Sequence, residues 1–499
     1  MIGLISGPVF AALTYFLLPD FYLAADGSTA VFSNAGRITL SIMVWMGTWW
    51  LTEAIHISAT ALLPVVLFPM LGATSISSAT APYSHPLVFL VLGGFLIAIA
   101  LEKWGLDKRI AYNTIRIVGA NPLSIIAGIM LVTAFLSAFV SNTATTAMML
   151  PIALSVIELA EQRGEGSEQS AADAGNFSRA LLLGIAYGAS VGGISTIIGT
   201  GPNAFLVGFV NEAVPRVFNT EITFVSWLPI GLSVTILMLP MTFLLLTRFL
   251  FPVNNVSIEG GEELIERGLS ALGKVKRGEM LTLLIFILAA FMWTFRPLLT
   301  AISFDISGTT IRPFLGLTDA GISMLCATLL FVTPVDLKAQ KFLLDWNSAV
   351  KIPWGILLLF GGGLSLSAAV QSTGVAEYIG SQARHIAHLP HVLHVFFVTL
   401  SVTTMTELTS NVATTASLLP ILTALSPGLG LNPYILSIAC TLASSCAFMM
   451  PVATPPNAIV FGSGRLTIPE MVKAGIWLNL IGIIVITAIS LLLVPLLFS

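Results

Sequence analysis

With 499 residues, of which 56% are apolar and only 9% charged, the chain departs from soluble domains, in which about 25% of residues are charged. A mean hydropathy of +0.95 points to an all-α polytopic membrane protein, and a formal charge of −3 is too small to imply a nucleic acid or an acidic partner, so no nucleic acid is expected. The three cysteines (Cys326, Cys440 and Cys446) lie in apolar segments with no CxxC pair, so they read as packing residues.

The N-terminal run MIGLISGPVFAALTYFLLPD lacks the basic region and small-residue cleavage site of a signal peptide, so it is expected as a retained first transmembrane helix. Crossing roughly 30 Å of hydrocarbon takes about 20 apolar residues. Eleven such spans are predicted, near 4–20, 38–53, 57–73, 86–101, 180–210, 226–250, 280–300, 318–333, 354–372, 433–463 and 471–498. Two further apolar stretches, 121–160 and 390–425, are too long for one helix. Each is interrupted by a polar triplet, in SNTATTAMMLP at 141–151 and SNVATTASLLP at 410–420. Both are predicted as re-entrant helical hairpins that enter and leave on one side. The polar stretch 161–179 reads as a cytoplasmic loop, and the charged segment 252–279 as a surface helix and linker between two halves.

Lysine and arginine orient this topology. With the N-terminus inside, the inside loops hold sixteen of them, among them Lys103, Arg109, Arg179, Lys276 and Arg465. The outside keeps five: Arg37, Arg216, Arg296, Arg312 and Arg384. That asymmetry satisfies the positive-inside rule, and predicts a multi-pass protein of an inner or plasma membrane with a cytoplasmic N-terminus.

The halves match in three places and in the same order. VLGGFLIAIA (91–100) answers LFGGGLSLSA (359–368), the two triplets answer each other, and VGGISTIIGTGPNAFLVG (191–208) answers CAFMMPVATPPNAIVFG (446–462). An odd number of crossings between equivalent points makes the second copy inverted. Inverted repeats suit alternating-access transporters, whose sites lie near the midplane at broken helices. IGTGPNA (198–204) and VATPPNA (452–458) put glycine and proline in mid-span, where proline removes a helical donor. Breaks are therefore expected there, and irregular backbone at depth is tolerated only inside protein or along a cavity.

Helix N-termini carry unpaired N–H groups and partial positive charge, suited to a carboxylate. C-terminal ends and unwound carbonyls suit Na⁺. Ser141, Asn142 and Thr143, with Ser410 and Asn411, add hydroxyl and amide groups but no fixed charge, and no lysine or arginine falls in the four loops. The expected ligand is an anion held by dipoles and by bound cations, so that the cation-free site binds anions poorly. A lone triplet of this kind is more often a helix-packing patch; two inverted copies, each beside a broken helix, favour a binding site.

These residues resemble the divalent anion/sodium symporter family, the INDY-type dicarboxylate carriers. The resemblance extends from WLTEAIHISATALLPV and LVFLVLGGFLIAIALEKWGLDKRIA through the paired triplets, GTGPNA and CAFMMPVATPPNAIVFGSG to IPEMVKAGIWLNL. It implies a homodimer with elevator-type scaffold and transport domains, and Na⁺-coupled import of the C4-dicarboxylates succinate, malate and fumarate. Residues 1–120 would form the scaffold of the first repeat and 121–251 its transport part. Residues 252–389 would supply the linker and second scaffold part, and 390–499 the second transport part. One sodium site would use Ser141, Asn142 and the backbone near Gly199; the other would use Thr406, Asn411 and the backbone near Ala453. The dicarboxylate would touch Asn142, Thr143, Thr200, Asn411, Thr454 and Pro455. Val412 departs from the SNT pattern by removing a hydroxyl, which is expected to shift substrate preference.

Glu407, an acid within an apolar segment, is a functional candidate or a carboxylate bonded to hairpin N–H groups. Glu53 leans towards a structural role. His385, His388, His391 and His394 recur at every third position, but Pro390 interrupts a common face, and an outer interfacial segment is expected rather than a metal site. The same residues leave open a sodium-independent dicarboxylate exchanger and a sulfate or tricarboxylate carrier. An anion channel would require a continuous polar stripe. An enzyme would require a catalytic set such as HExxH or a Walker loop, neither of which occurs.

Overall fold

The structure is a computed structural model that describes residues 2–24, 28–119, 121–164, 168–213, 221–253, 261–306, 309–383 and 386–498. Arg216, Arg384, His385 and parts of the loops 161–179 and 252–279 lie outside the described residues. Among those described, six helices are long and apolar enough to cross a membrane: Ile76–Trp104, Asn142–Glu161, Phe224–Leu250, Arg277–Ala301, Trp354–Ser372 and Ile468–Leu497. Shorter apolar helices occupy other expected stretches, including Gly3–Leu17, Asp319–Val332 and Pro433–Ser444. The strands of the described residues form three two-stranded hairpins, such as Phe21–Leu23 against Thr29–Val31.

The stretch 57–73 is not the single span expected. It divides into Ile57–Thr60 and Leu63–Leu71, and the nine residues of the second piece rise only about 13 Å at 1.5 Å each. Pro64 is the cause: it cannot donate to Thr60, so the first turn ends there. Tyr83 donates its hydroxyl to the Ala61 carbonyl exposed by the break. Gly362 of Trp354–Ser372 packs against the same carbonyl, where an added Cβ would lie 2.1 Å from the oxygen.

The two polar triplets do sit at hairpin turns. Pro122–Ser137 turns into Asn142–Gly164, and His391–Thr406 turns into Asn411–Leu425. Each hairpin packs on the helix that follows it, Glu168–Gly193 in the first half and Pro433–Ser444 in the second. The helices beyond break as expected, but over longer and earlier stretches than the motifs alone suggest. Backbone is unwound at 194–200, before Gly201–Ala213, and at 445–454, before Pro455–Phe461. The prolines sit in the first turn of each resumed helix, where a missing N–H costs nothing; they start the second piece rather than kink the first.

Beyond each break the chain crosses to the other half. Gly201–Ala213 packs against Asn411–Leu425 and Pro433–Ser444, while Pro455–Phe461 packs against Asn142–Gly164 and Glu168–Gly193. The repeats thus exchange their short helices, and both breaks come to one place. Ion pairs between separate segments respect the loop assignment. Lys103–Asp345 at 2.5 Å, Arg109–Glu279 at 2.9 Å, Arg179–Glu470 and Arg465–Glu161 join groups predicted inside, and Arg37–Asp20 and Arg296–Asp319 groups predicted outside. The hydrogen bond from Lys103 holds the Asp345 carboxyl down at about 2, so that link stays charged across the physiological range.

Candidate functional site

A cavity of about 560 Å³ lies where the two hairpin tips meet the two unwound stretches. It brings together Ser141, Asn142, Thr143, Gly199, Thr200, Asn411, Ala453, Thr454 and Pro455. Of the residues predicted for the site, only Thr406 stays out of the lining. It is fully buried behind Asn411, with its Oγ1 2.7 Å from Asn411 Oδ1 and 2.9 Å from the Ser444 carbonyl. Ile57, Phe95, Ile356 and Phe360 supply much of the opposite, apolar wall. Among the lining residues Glu53 alone is charged. It sits in the left-handed region at φ 45° as the C-cap of Asn34–Thr52, a backbone conformation that is uncommon outside glycine.

Four helices begin at this cavity. Their first residues, Asn142, Gly201, Asn411 and Pro455, all line it. Each N-terminus carries partial positive charge, which suits an anion without a lysine or arginine, although Pro455 and Pro456 bring no N–H group to the last of them. Side chains complete some of these ends: Ser141 Oγ accepts from Ala144 N at 3.2 Å, and Thr454 Oγ1 accepts from Asn457 N at 3.3 Å.

Helix C-terminal ends lie just behind the first tip and present oxygen. A Cβ built on Gly199 would lie 2.4 Å from the Gly193 carbonyl, 2.9 Å from that of Ala138 and 3.0 Å from that of Ser137. Three carbonyl oxygens therefore crowd the Cα of Gly199, leaving room there for its hydrogen alone and gathering oxygen atoms behind the first tip. The Asn142 amide stands beside it, since a Cβ on Gly193 would meet its Oδ1 at 2.5 Å, and Ser137 Oγ donates to that Oδ1 at 2.5 Å. Ser137–Asn142 in the first hairpin and Thr406–Asn411 in the second are the same contact, a hydroxyl five residues before the amide.

One pair of residues escaped the sequence reading. Asn203 Nδ2 donates to the carbonyls of Ile194 and Thr196 at 3.0 and 2.9 Å, and Asn457 Nδ2 to those of Ala447 and Met450 at 3.2 and 3.0 Å. Each pins its unwound stretch to the helix that follows. The signal was the asparagine repeated in IGTGPNA and VATPPNA, where only glycine and proline were read. Glu407 takes the second expected role with different partners. Its carboxylate accepts from the N–H groups of Phe448, Met449 and Met450, in the unwound stretch rather than the hairpin, and from Asn479 Nδ2 at 2.7 Å. Among the described residues no group of three or more histidine, cysteine or acidic side chains could hold a metal ion.

Comparison with known proteins places this architecture. The family described as the sodium:sulfate symporter transmembrane region matches residues 11–499. The sodium-dependent dicarboxylate transporter SdcS of Staphylococcus saprophyticus is 38% identical over 496 residues, covering 99% of this chain and 91% of the relative. Its namesake in Staphylococcus aureus is 36% identical over the same length and coverage. Among solved structures, the Alcanivorax borkumensis YdaH transporter shares the fold, with a TM-score of 0.58 and 13% identity over 98% of this chain and 96% of that one. A match over nearly the whole chain, together with the paired hairpins and broken helices, means that the protein belongs to the sodium:sulfate symporter family of membrane transporters.

Proposed function

We propose that this protein is a secondary-active symporter that couples Na⁺ to the import of C4-dicarboxylates such as succinate, malate and fumarate. The observation that carries the reading is the division of labour at one cavity. Four helix N-termini and two amide–hydroxyl clusters face its interior, while helix C-terminal carbonyls gather around Gly199 behind the first tip. The names of the 36–38% identical relatives support the same substrate class and ion. The dianion sits among Asn142, Thr143, Thr200, Asn411, Thr454 and Pro455. One Na⁺ is held by Ser141, Asn142 and the backbone at Gly199, and a second by Asn411 and the backbone at Ala453, with Thr406 orienting the Asn411 amide. Such a site has little affinity for an anion until sodium arrives, which is what coupling requires.

The reading includes a homodimer in an inner or plasma membrane, with eleven crossings, two re-entrant hairpins and a cytoplasmic N-terminus. The same-side ion pairs and the lysine and arginine asymmetry support that orientation. Residues 1–120 and 252–389 supply the scaffold, and 121–251 and 390–499 the part that moves as an elevator. Glycines at the seam support sliding: Gly94 faces Ile198, Gly208 faces Leu87 and Gly363 faces the Phe205 ring, each too close for a side chain to be added without movement of its neighbour. Labelled succinate uptake into proteoliposomes, with and without an inward Na⁺ gradient, tests the function. Uptake indifferent to sodium but dependent on internal dicarboxylate would replace symport by exchange.

Two substitutions follow from the geometry. Gly199→Ala places a methyl group among these carbonyls, 2.4 Å from a backbone oxygen that cannot rotate away. Sodium-driven uptake is expected to fall at least about tenfold, the effect of roughly 1.4 kcal/mol at a binding site; unchanged half-saturation by Na⁺ would move the cation elsewhere. Val412→Thr acts on selectivity. Val412 packs against Gly201, whose added Cβ would meet its Cγ2 at 2.6 Å, so a threonine there brings a hydroxyl to the start of Gly201–Ala213. Competition by hydroxylated or bulkier acids against labelled succinate is expected to change by at least about tenfold, one hydrogen bond to a charged group. An unchanged competition profile would show that position 412 does not select.

A further inference from the structure

Glu53 stands where its own helix gains nothing from it. It caps the C-terminus of Asn34–Thr52 at φ 45° and ψ 39°, in the left-handed region that residues other than glycine rarely enter. The other left-handed C-caps among the described residues are glycines: Gly72, Gly105 and Gly430. A helix C-terminus also carries partial negative charge, which disfavours an acid. Among the described residues, no hydrogen bond or ion pair holds the Glu53 side chain in compensation. A glycine would serve the fold better, so the reason for a glutamate lies in what it faces.

It faces the cavity between the hairpin tips, of which it is the one charged lining residue. Four helix N-termini open there, each with about half an elementary charge, so together they come close to balancing a dianion without any cation. A carrier that bound its anion in that way would run uncoupled from sodium. Discrimination of this kind is built with a repulsive element, and Glu53 supplies one. Exposed in the cavity, it adds a negative charge to a lining that otherwise holds only dipoles and apolar groups. On the reading of this cavity as a sodium-coupled dicarboxylate site, we propose that Glu53 determines charge specificity. It repels a dicarboxylate that arrives without cations and is nearly indifferent to one whose charge Na⁺ ions cancel.

Binding of radiolabelled succinate to the purified protein tests this, with NaCl exchanged for choline chloride at constant ionic strength. In Glu53→Gln, affinity without sodium should rise at least about tenfold, the factor that one charge exerts on a dianion across as much as about 20 Å at an effective dielectric of about 20. Affinity at saturating sodium should change far less, so the dependence on sodium flattens. The backbone tolerates the change, since Gln340 adopts φ 49° in the same chain. Glu53→Asp keeps the charge and should keep the wild-type sodium dependence. Should Glu53→Gln fail to fold, Glu53→Asn makes the same comparison with Glu53→Asp, both new side chains being at ease in the left-handed region. An unchanged sodium-free affinity in the neutral variant would overturn the proposal, as would an equal gain in Glu53→Asp, which ties the effect to shape. Weaker succinate binding by Glu53→Gln at saturating sodium would overturn it too, since the carboxylate would then be holding a cation. A wild type that binds succinate equally with and without sodium refutes symport itself, whereas a sodium-dependent wild type matched by Glu53→Gln refutes only the role of Glu53.

Discussion

Asn142→Ala and Asn411→Ala are each expected to reduce sodium-dependent uptake by between about ten- and a hundredfold, while protein yield and oligomeric state stay unchanged. Each amide lies at the first residue of a helix on the cavity wall, and its oxygen is oriented by a hydroxyl five residues earlier, Ser137 or Thr406. Removing a hydrogen-bond or ligand group that meets a charge costs about 1.5–3 kcal/mol, which at 1.4 kcal/mol per decade gives that range. Asn142→Asp separates the two tasks assigned to the amide. An aspartate still offers oxygen to a cation, so sodium binding should persist. It also sets a negative charge beside the dianion, worth about 4 kcal/mol at 4 Å in a medium of effective dielectric 20, so substrate binding should be lost. Calorimetric titration of the purified variant with NaCl and then with succinate reads the two steps apart. Normal uptake by both alanine variants would remove the substrate and its cations from this cavity.

The paired triplets were legible because chemistry forces them to be. Polar residues in membrane spans are rare enough to stand out, and two copies in one order announce the repeat. Gly199 was reachable for the same reason, since glycine and proline in mid-span mark unwound backbone. What the sequence could not show is the exchange of Gly201–Ala213 and Pro455–Phe461 between halves. Periodicity reports which face of a helix is apolar, not which of several equally apolar neighbours it meets. The roles of Asn203, Asn457 and Glu407 were hidden likewise, because each depends on a partner brought near only by folding. Pro64 divides 57–73 where hydropathy is uninterrupted: a transfer scale registers its side chain as tolerable and does not count the missing N–H.

Glu407→Ala is expected to be more damaging than any change among the cavity-lining residues, although Glu407 does not line that cavity. Its carboxylate is 5% exposed and accepts from Phe448 N at 2.7 Å, from Met449 N at 3.0 Å, from Met450 N at 3.1 Å and from the Asn479 amide. The equivalent place in the first repeat is Ala138, whose carbonyl accepts from the Thr196 hydroxyl. The difference follows from length: the second unwound stretch covers 445–454 and the first only 194–200. The longer stretch leaves more N–H groups without helical partners, and one side chain satisfies three in succession. Alanine would leave them without this acceptor, at about 1–3 kcal/mol for each that stays buried. Thermal unfolding in detergent should therefore shift down and uptake should vanish. Glu407→Gln discriminates further. It keeps an acceptor for part of the stretch but turns an NH₂ group towards the remaining N–H, so the backbone carrying Ala453 and Thr454 is displaced while the fold survives. The sodium concentration for half-maximal uptake should then rise by about tenfold, roughly 1.4 kcal/mol, with a smaller effect on succinate affinity measured at saturating sodium. If Glu407→Gln instead kept wild-type sodium dependence and lost only stability, the carboxylate would brace the second broken helix without positioning an ion, and the cation expected at Ala453 would not depend on the exact course of that backbone.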